Sequence, residues 1–140
     1  VSNTAGITAN QIEQTVALLR EKFAPELIYL FGSAVRGELR LDSDLDFAFL
    51  SEQFTDNYQV FIMAQQLADI VKRDVDLIDL HKASTVLKAQ IVSTGKNIYA
   101  SDANRRINFE IVALKEYALL NEERQLVLDN FVKEVKQNGK

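Results

Sequence analysis

At 140 residues and a formal net charge of −4, the chain is long enough for one hydrophobic core and too short for two, so a single domain over residues 1–140 is expected. The absence of cysteine excludes disulfides and thiolate metal sites and fits a reducing compartment. Basic residues are scattered rather than clustered, so stable nucleic-acid binding is not expected, although one nucleotide could be held by local charge.

No apolar run reaches the roughly 18 residues a membrane span needs, and no basic segment precedes an apolar stretch at the N-terminus; neither a membrane span nor a signal peptide is expected. From Thr8 to about Phe23, Ile12, Val16, Leu19 and Phe23 recur at spacings of three and four, an amphipathic helix with Thr8 as N-cap. Pro25, the only proline, ends it. "ELIYLFGS", 26–33, reads as a buried strand closed by Gly-Ser. "AVRG" suits one helical turn, and "DLDFAFLS", 44–51, is a second strand.

Residues 55–72 return to helical spacing, with Val60, Met63, Ala64, Leu67, Ile70 and Val71 on one face. "DVDLIDL", 74–80, is a third strand; 84–94 is a short helix stopped by Gly95; "NIYA", 97–100, is a fourth strand. Asp102 then caps a long helix to about Lys136. Its Ile107, Ile111, Leu114, Ala118, Leu128, Phe131, Val132 and Val135 form an apolar stripe interrupted by the polar "NEERQ", 121–125. The stripe is expected first to cover the core, with its length past the sheet available to a partner. The order of elements predicts an α/β (α+β) fold, a small mixed β-sheet covered by helices, with a core of about 8–102 and a C-terminal helix of about 102–136. His81, the only histidine, is expected as a loop or cap residue, and Tyr58, Tyr99 and Tyr117 as packing or surface residues.

The chemistry concentrates in "LFGSAVRGELRLDSDLDFAFL", 30–50. Strand side chains alternate, so Asp44 and Asp46 point the same way about 6.5–7 Å apart, while Leu45 and Phe47 face a core. Two carboxylates on one side of a strand repel, and a divalent cation between them removes the objection; hard oxygen ligands suit Mg²⁺ or Mn²⁺. Asp42 continues that parity from the loop. Gly32 permits close backbone approach, Ser33 adds a hydroxyl, and the turn that follows could face its N–H groups toward an anion. Arg36 is placed to add a charge-assisted phosphate contact. In the third strand Asp74 and Asp76 share a face with Ile78 and Leu80, whereas Asp79 lies on that of Val75 and Leu77. Either Asp74 or Asp76 could complete a three-acid cluster, sharing a second metal or taking a proton from an attacking hydroxyl.

Gly32-Ser33, ten residues, then Asp44-Leu45-Asp46, followed by an acidic third strand, resembles the nucleotidyltransferase signature of the DNA polymerase β-like superfamily. "LFGSAVRGE…SDLDFAF" and "IVSTGKNIYASD" are similar to its minimal nucleotidyltransferases (MNT), and the resemblance spans roughly residues 10–102. It implies that Asp76 is the third carboxylate, beside Asp44 and Asp46, in the catalytic and metal-binding set, with Gly32, Ser33 and Arg36 on the phosphate side. Where relatives often carry two basic residues after Gly-Ser, this chain has Ala34 and Arg36. The resemblance further implies two Mg²⁺ (or Mn²⁺), ATP as substrate, a prokaryotic cytoplasmic setting, and a HEPN-domain ribonuclease toxin as partner, neutralised by AMP transfer to a hydroxyl such as a tyrosine's. The alternatives are neutralisation by stoichiometric binding alone, or transfer to a small-molecule or nucleic-acid hydroxyl.

Overall fold

A computed structural model describes residues 6–36 and 43–138; the expectation for Asp42 falls outside them. In chain order the elements are α1 (Ala9–Phe23), β1 (Leu27–Phe31), α2 (Ser33–Arg36), β2 (Leu45–Leu50), α3 (Asn57–Val71), β3 (Val75–Asp79), α4 (Thr85–Thr94), β4 (Lys96–Ala100) and α5 (Ala103–Asn138). Four strands form one sheet in the order β3-β2-β1-β4. Strand β1 is antiparallel to both β2 and β4, and β2 is parallel to β3, so the sheet is mixed as expected.

Local chemistry explains the helix ends. Thr8 caps α1 in a capping box with Gln11, and Asp56 does the same for α3 with Gln59, each pair satisfying two otherwise orphaned N–H groups. Helix α1 ends at Ala24, whose φ of 45° lies in the left-handed region, and Pro25 follows, unable to continue the helix. Ser84 caps α4, and Gly95 closes it.

The alternation of β1 and β2 divides the core in two. Ile28, Leu30, Leu45, Phe47 and Phe49 face α1 and α3, where Leu19, Phe23, Met63, Leu67 and Val71 meet them. Leu27, Tyr29, Ala48 and Leu50 face the other way, against Ile91 and Leu87 of α4 and Phe109 of α5. Two polar contacts lock the start of α5 to the sheet, and a third, within the helix, braces one of them. Arg105 Nε donates to Glu26 Oε2 at 3.0 Å, Tyr29 Oη donates to Glu110 Oε2 at 2.6 Å, and Arg106 Nε donates to that same oxygen at 3.0 Å. Burial, and then the bond to Glu110, push the Tyr29 hydroxyl far above its usual range, so it stays a donor.

The long helix departs from expectation. Its buried residue is Ala113, and the side facing the domain is Phe109 and Ala113 rather than the anticipated stripe. Ile107, Ile111, Leu114, Leu128, Phe131, Val132 and Val135 are all exposed. The stripe therefore does not cover the core. The apolar period identified a face of the helix without saying which face the tight Tyr29–Glu110 and Arg105–Glu26 contacts would turn inward.

Phe49 is fully buried, its ring centroid 5.0 Å from that of Phe23. Phe49→Ala is expected to cost about 3–5 kcal/mol of unfolding free energy, measured by urea denaturation; a loss under about 1 kcal/mol would contradict this packing.

Candidate active site

Strand pairing assembles the site from three places in the chain. The antiparallel register sets Phe31 against Asp46, and the parallel register sets Asp46 against Asp76. Asp46 and Asp76 therefore stand side by side on neighbouring strands, about 4.8 Å apart in the hydrogen-bonding direction. Both lie on the α4 side of the sheet, in line with Ala48 and Leu50 on one strand and Ile78 and Leu80 on the other. The apolar residues between them, Leu45, Phe47 and Leu77, are buried against α1 and α3. Burial of one face thus fixes the acids on the other.

Asp76 is Asp46's direct neighbour, whereas Asp74 lies one residue before β3, its backbone carbonyl accepting the Leu45 N–H at 2.9 Å. Asp44 is exposed just before β2. Burial pushes the Asp46 carboxyl up to about 6; the charges of Asp76 and then Asp44 push the same way, and Arg36 opposes them. Three acids and one guanidinium therefore sense one another at this end of the sheet. Among the described residues, however, no three acidic or histidine side chains converge closely enough to ligate one ion. Asp46 and Asp76 are brought together; Asp44 stands at the rim.

Gly32 completes the wall. Its φ of +79° turns the chain out of β1, and a Cβ there would overlap the Asp46 carboxylate, so only glycine fits on both counts. Its carbonyl accepts from the Val35 and Arg36 N–H groups at 3.1 and 3.2 Å, winding the single turn of α2 that begins at Ser33 and ends at Arg36. Gly32, Ser33 and Arg36 thus occupy one tight turn beside the acids.

A family described as polymerase beta, nucleotidyltransferase, matches residues 13–104, a span holding every one of these residues. The chain belongs to that nucleotidyltransferase family. A protein adenylyltransferase, MntA, of Shewanella oneidensis is 38% identical over 116 residues, 82% of this chain and 83% of that protein. A crystal structure of a toxin–antitoxin with AMP-PNP contains a chain 36% identical, matched over 86% of this chain and 98% of its own with a TM-score of 0.78. The MNT antitoxin in complex with a tri-AMPylated Shewanella oneidensis HEPN toxin is 34% identical, with a TM-score of 0.71 over 88% of this chain and 97% of its own.

Other acids of this nucleotidyltransferase serve the fold. Asp79 accepts from the Thr55 hydroxyl and the His81 N–H, each at 3.0 Å, and His81 Nε2 donates to the Ser51 carbonyl at 2.6 Å. These contacts lie at the opposite end of β2 and β3 from Asp46 and Asp76, which places His81 in structure rather than chemistry. The Tyr29–Glu110 clamp was not foreseen; the available signal was a tyrosine in a buried strand, whose hydroxyl requires a partner.

Two outcomes follow from this geometry. Gly32→Ala is expected to reduce nucleotidyl transfer at least about 100-fold, as misplacement of a reacting centre does, while circular dichroism shows the fold retained; near-parental activity would contradict the overlap with Asp46. Because the folded-state pKa of Asp46 is raised to about 6 from 3.8, its contribution to stability is full below about pH 4 and is lost as pH rises through about 6. Asp46→Asn should therefore raise the Tm of the metal-free protein at pH 7.5 and leave it nearly unchanged at pH 4. A lower Tm at pH 7.5 would show that the carboxylate is not crowded.

Proposed function

We propose that the chain is a single minimal nucleotidyltransferase domain that transfers AMP from ATP to a hydroxyl of a HEPN-type toxin partner and so neutralises it. The observation that carries this reading is the crowded Asp46–Asp76 pair with Gly32 pressed against it, in a chain 38% identical to a protein adenylyltransferase. The MNT antitoxin in complex with an AMPylated toxin supplies the acceptor class.

The residues present suit divalent cations of the Mg²⁺ type. Carboxylate oxygens are the hard ligands such ions take, and the raised Asp46 pKa marks negative charge that a cation would relieve. Asp46 and Asp76 would hold the ion, with Asp44 joining from the rim. Bound there, it would neutralise charge developing on the phosphate oxygens.

The chain's own residues do the rest. The turn at Gly32 and Ser33 leaves room for the phosphate chain beside Asp46, and Arg36 adds positive charge at the same edge. Asp76 takes the proton of the acceptor hydroxyl as its oxygen bonds to the α-phosphorus. The bond from that phosphorus to the β-bridging oxygen breaks, and pyrophosphate leaves with the electron pair. The small domain chiefly positions the reactants, so acceptor specificity comes from the partner that presents the hydroxyl.

Labelled ATP, Mg²⁺ and the cognate toxin should give label on the toxin, with loss above about 1000-fold in the Asp44→Asn/Asp46→Asn variant, as expected when charge-stabilising groups are removed. The second reading, neutralisation by binding alone, draws on the absence of a converged three-acid cluster among the described residues. It predicts that the double variant neutralises as well as the parent at equal dose, with no label transferred.

A further inference from the structure

Helix α5 presents a seam that no other described residue covers. Ile107, Ile111, Leu114, Ala118, Asn121, Gln125, Leu128, Val132 and Val135 follow one another at strictly alternating spacings of four and three. That is the 3.5-residue period of a coiled coil rather than the 3.6-residue period of a helix covering a globular core. The polar residues that seemed to break the stripe occupy two of its own positions.

The helix docks on its domain through the opposite side. Arg105 meets Glu26, while Phe109 packs into the core and Ala113 is buried; in the heptad these are outer positions. The seam's apolar residues are left 42–53% exposed, and every residue of 121–138 is exposed. Helices in proteins owe most of their stability to packing an apolar face, so these apolar residues call for a cover.

We propose that the cover is a second copy of this chain, its α5 lying parallel and in register along residues 107–135. Those residues rise about 42 Å, four heptads. In this pairing each seam position meets itself, so apolar meets apolar, and Asn121 and Gln125 each meet their own kind. A buried polar pair of this sort penalises every shifted register. Ile111 and Val132 fall at a positions and Leu114 and Leu128 at d, as in two parallel strands, while Ala118 falls at a and Ile107 and Val135 at d. The flanking charges agree where the helix has left its domain, since Arg124 approaches Asp129 of the second copy. An antiparallel pairing that matched the polar positions would instead set Glu122 against Glu122 and Arg124 against Arg124. Because each domain sits on the outer face of its own helix, the two domains lie on opposite sides of the pair. This inference stands apart from the AMP-transfer reading and concerns how many active sites one particle carries.

The test uses the full chain without toxin. Light scattering at tens of micromolar should give twice the monomer mass. Leu114→Glu or Val132→Glu should give the monomer mass with the domain still cooperatively folded, since both side chains are exposed in the single chain. The chain has no cysteine, so Leu128→Cys should form a covalent dimer on mild oxidation, each copy meeting itself. A monomer in the parental protein, a dimer that Leu128→Cys does not cross-link, or pairing that appears only when toxin is added would each overturn the proposal.

Discussion

The structure depends on one arrangement of strand β2, whose two faces must satisfy opposite demands. Leu45, Phe47 and Phe49 are fully buried against α1 and α3, and this burial sets the register against both neighbouring strands. The same register forces Asp46 beside Asp76 and against Gly32. The hydrophobic core therefore holds in place a pair of carboxylates that would separate if free. In the metal-free chain their closeness is a cost to stability above about pH 6, because burial and the neighbouring charges raise the Asp46 pKa. Perturbed acids of this kind cluster at functional sites in otherwise consistent folds.

The two ends of the sheet have separate tasks. At one end, strands β2 and β3 begin with the acids and β1 ends in the Gly32 turn. At the other, Asp79, Thr55, His81 and Ser51 form a closed set of hydrogen bonds, and Glu26 receives Arg105 at the start of α5. Helix α5 is thus anchored away from the acids, and an assembly built along it leaves the end that carries Asp46 and Asp76 uncovered.

Much of this was legible in the sequence because it rests on short-range rules. Thr8, Pro25 and Gly95 bound their helices where capping and breaking chemistry place them, and the alternation in 44–50 and 74–80 put Asp46 and Asp76 each on one face. Parity could not choose between Asp74 and Asp76 because it carries no inter-strand register; the resemblance to known nucleotidyltransferases made that choice, and the register places Asp76 beside Asp46. The orientation of α5 was not legible. It is set by Tyr29–Glu110 and Arg105–Glu26, contacts between residues about eighty positions apart, and the visible apolar stripe belongs to the face those contacts turn outward.

The most direct test of the central claim is the titration of the Asp46 side-chain carboxyl, followed by carbon NMR in the metal-free protein, alone and with Asp76→Asn. A midpoint near pH 6 is expected in the parent, with a fall toward the ordinary carboxylate range when Asp76 loses its charge. A midpoint near 4 in the parent, unmoved by Asp76→Asn, would show that the two acids do not share a site.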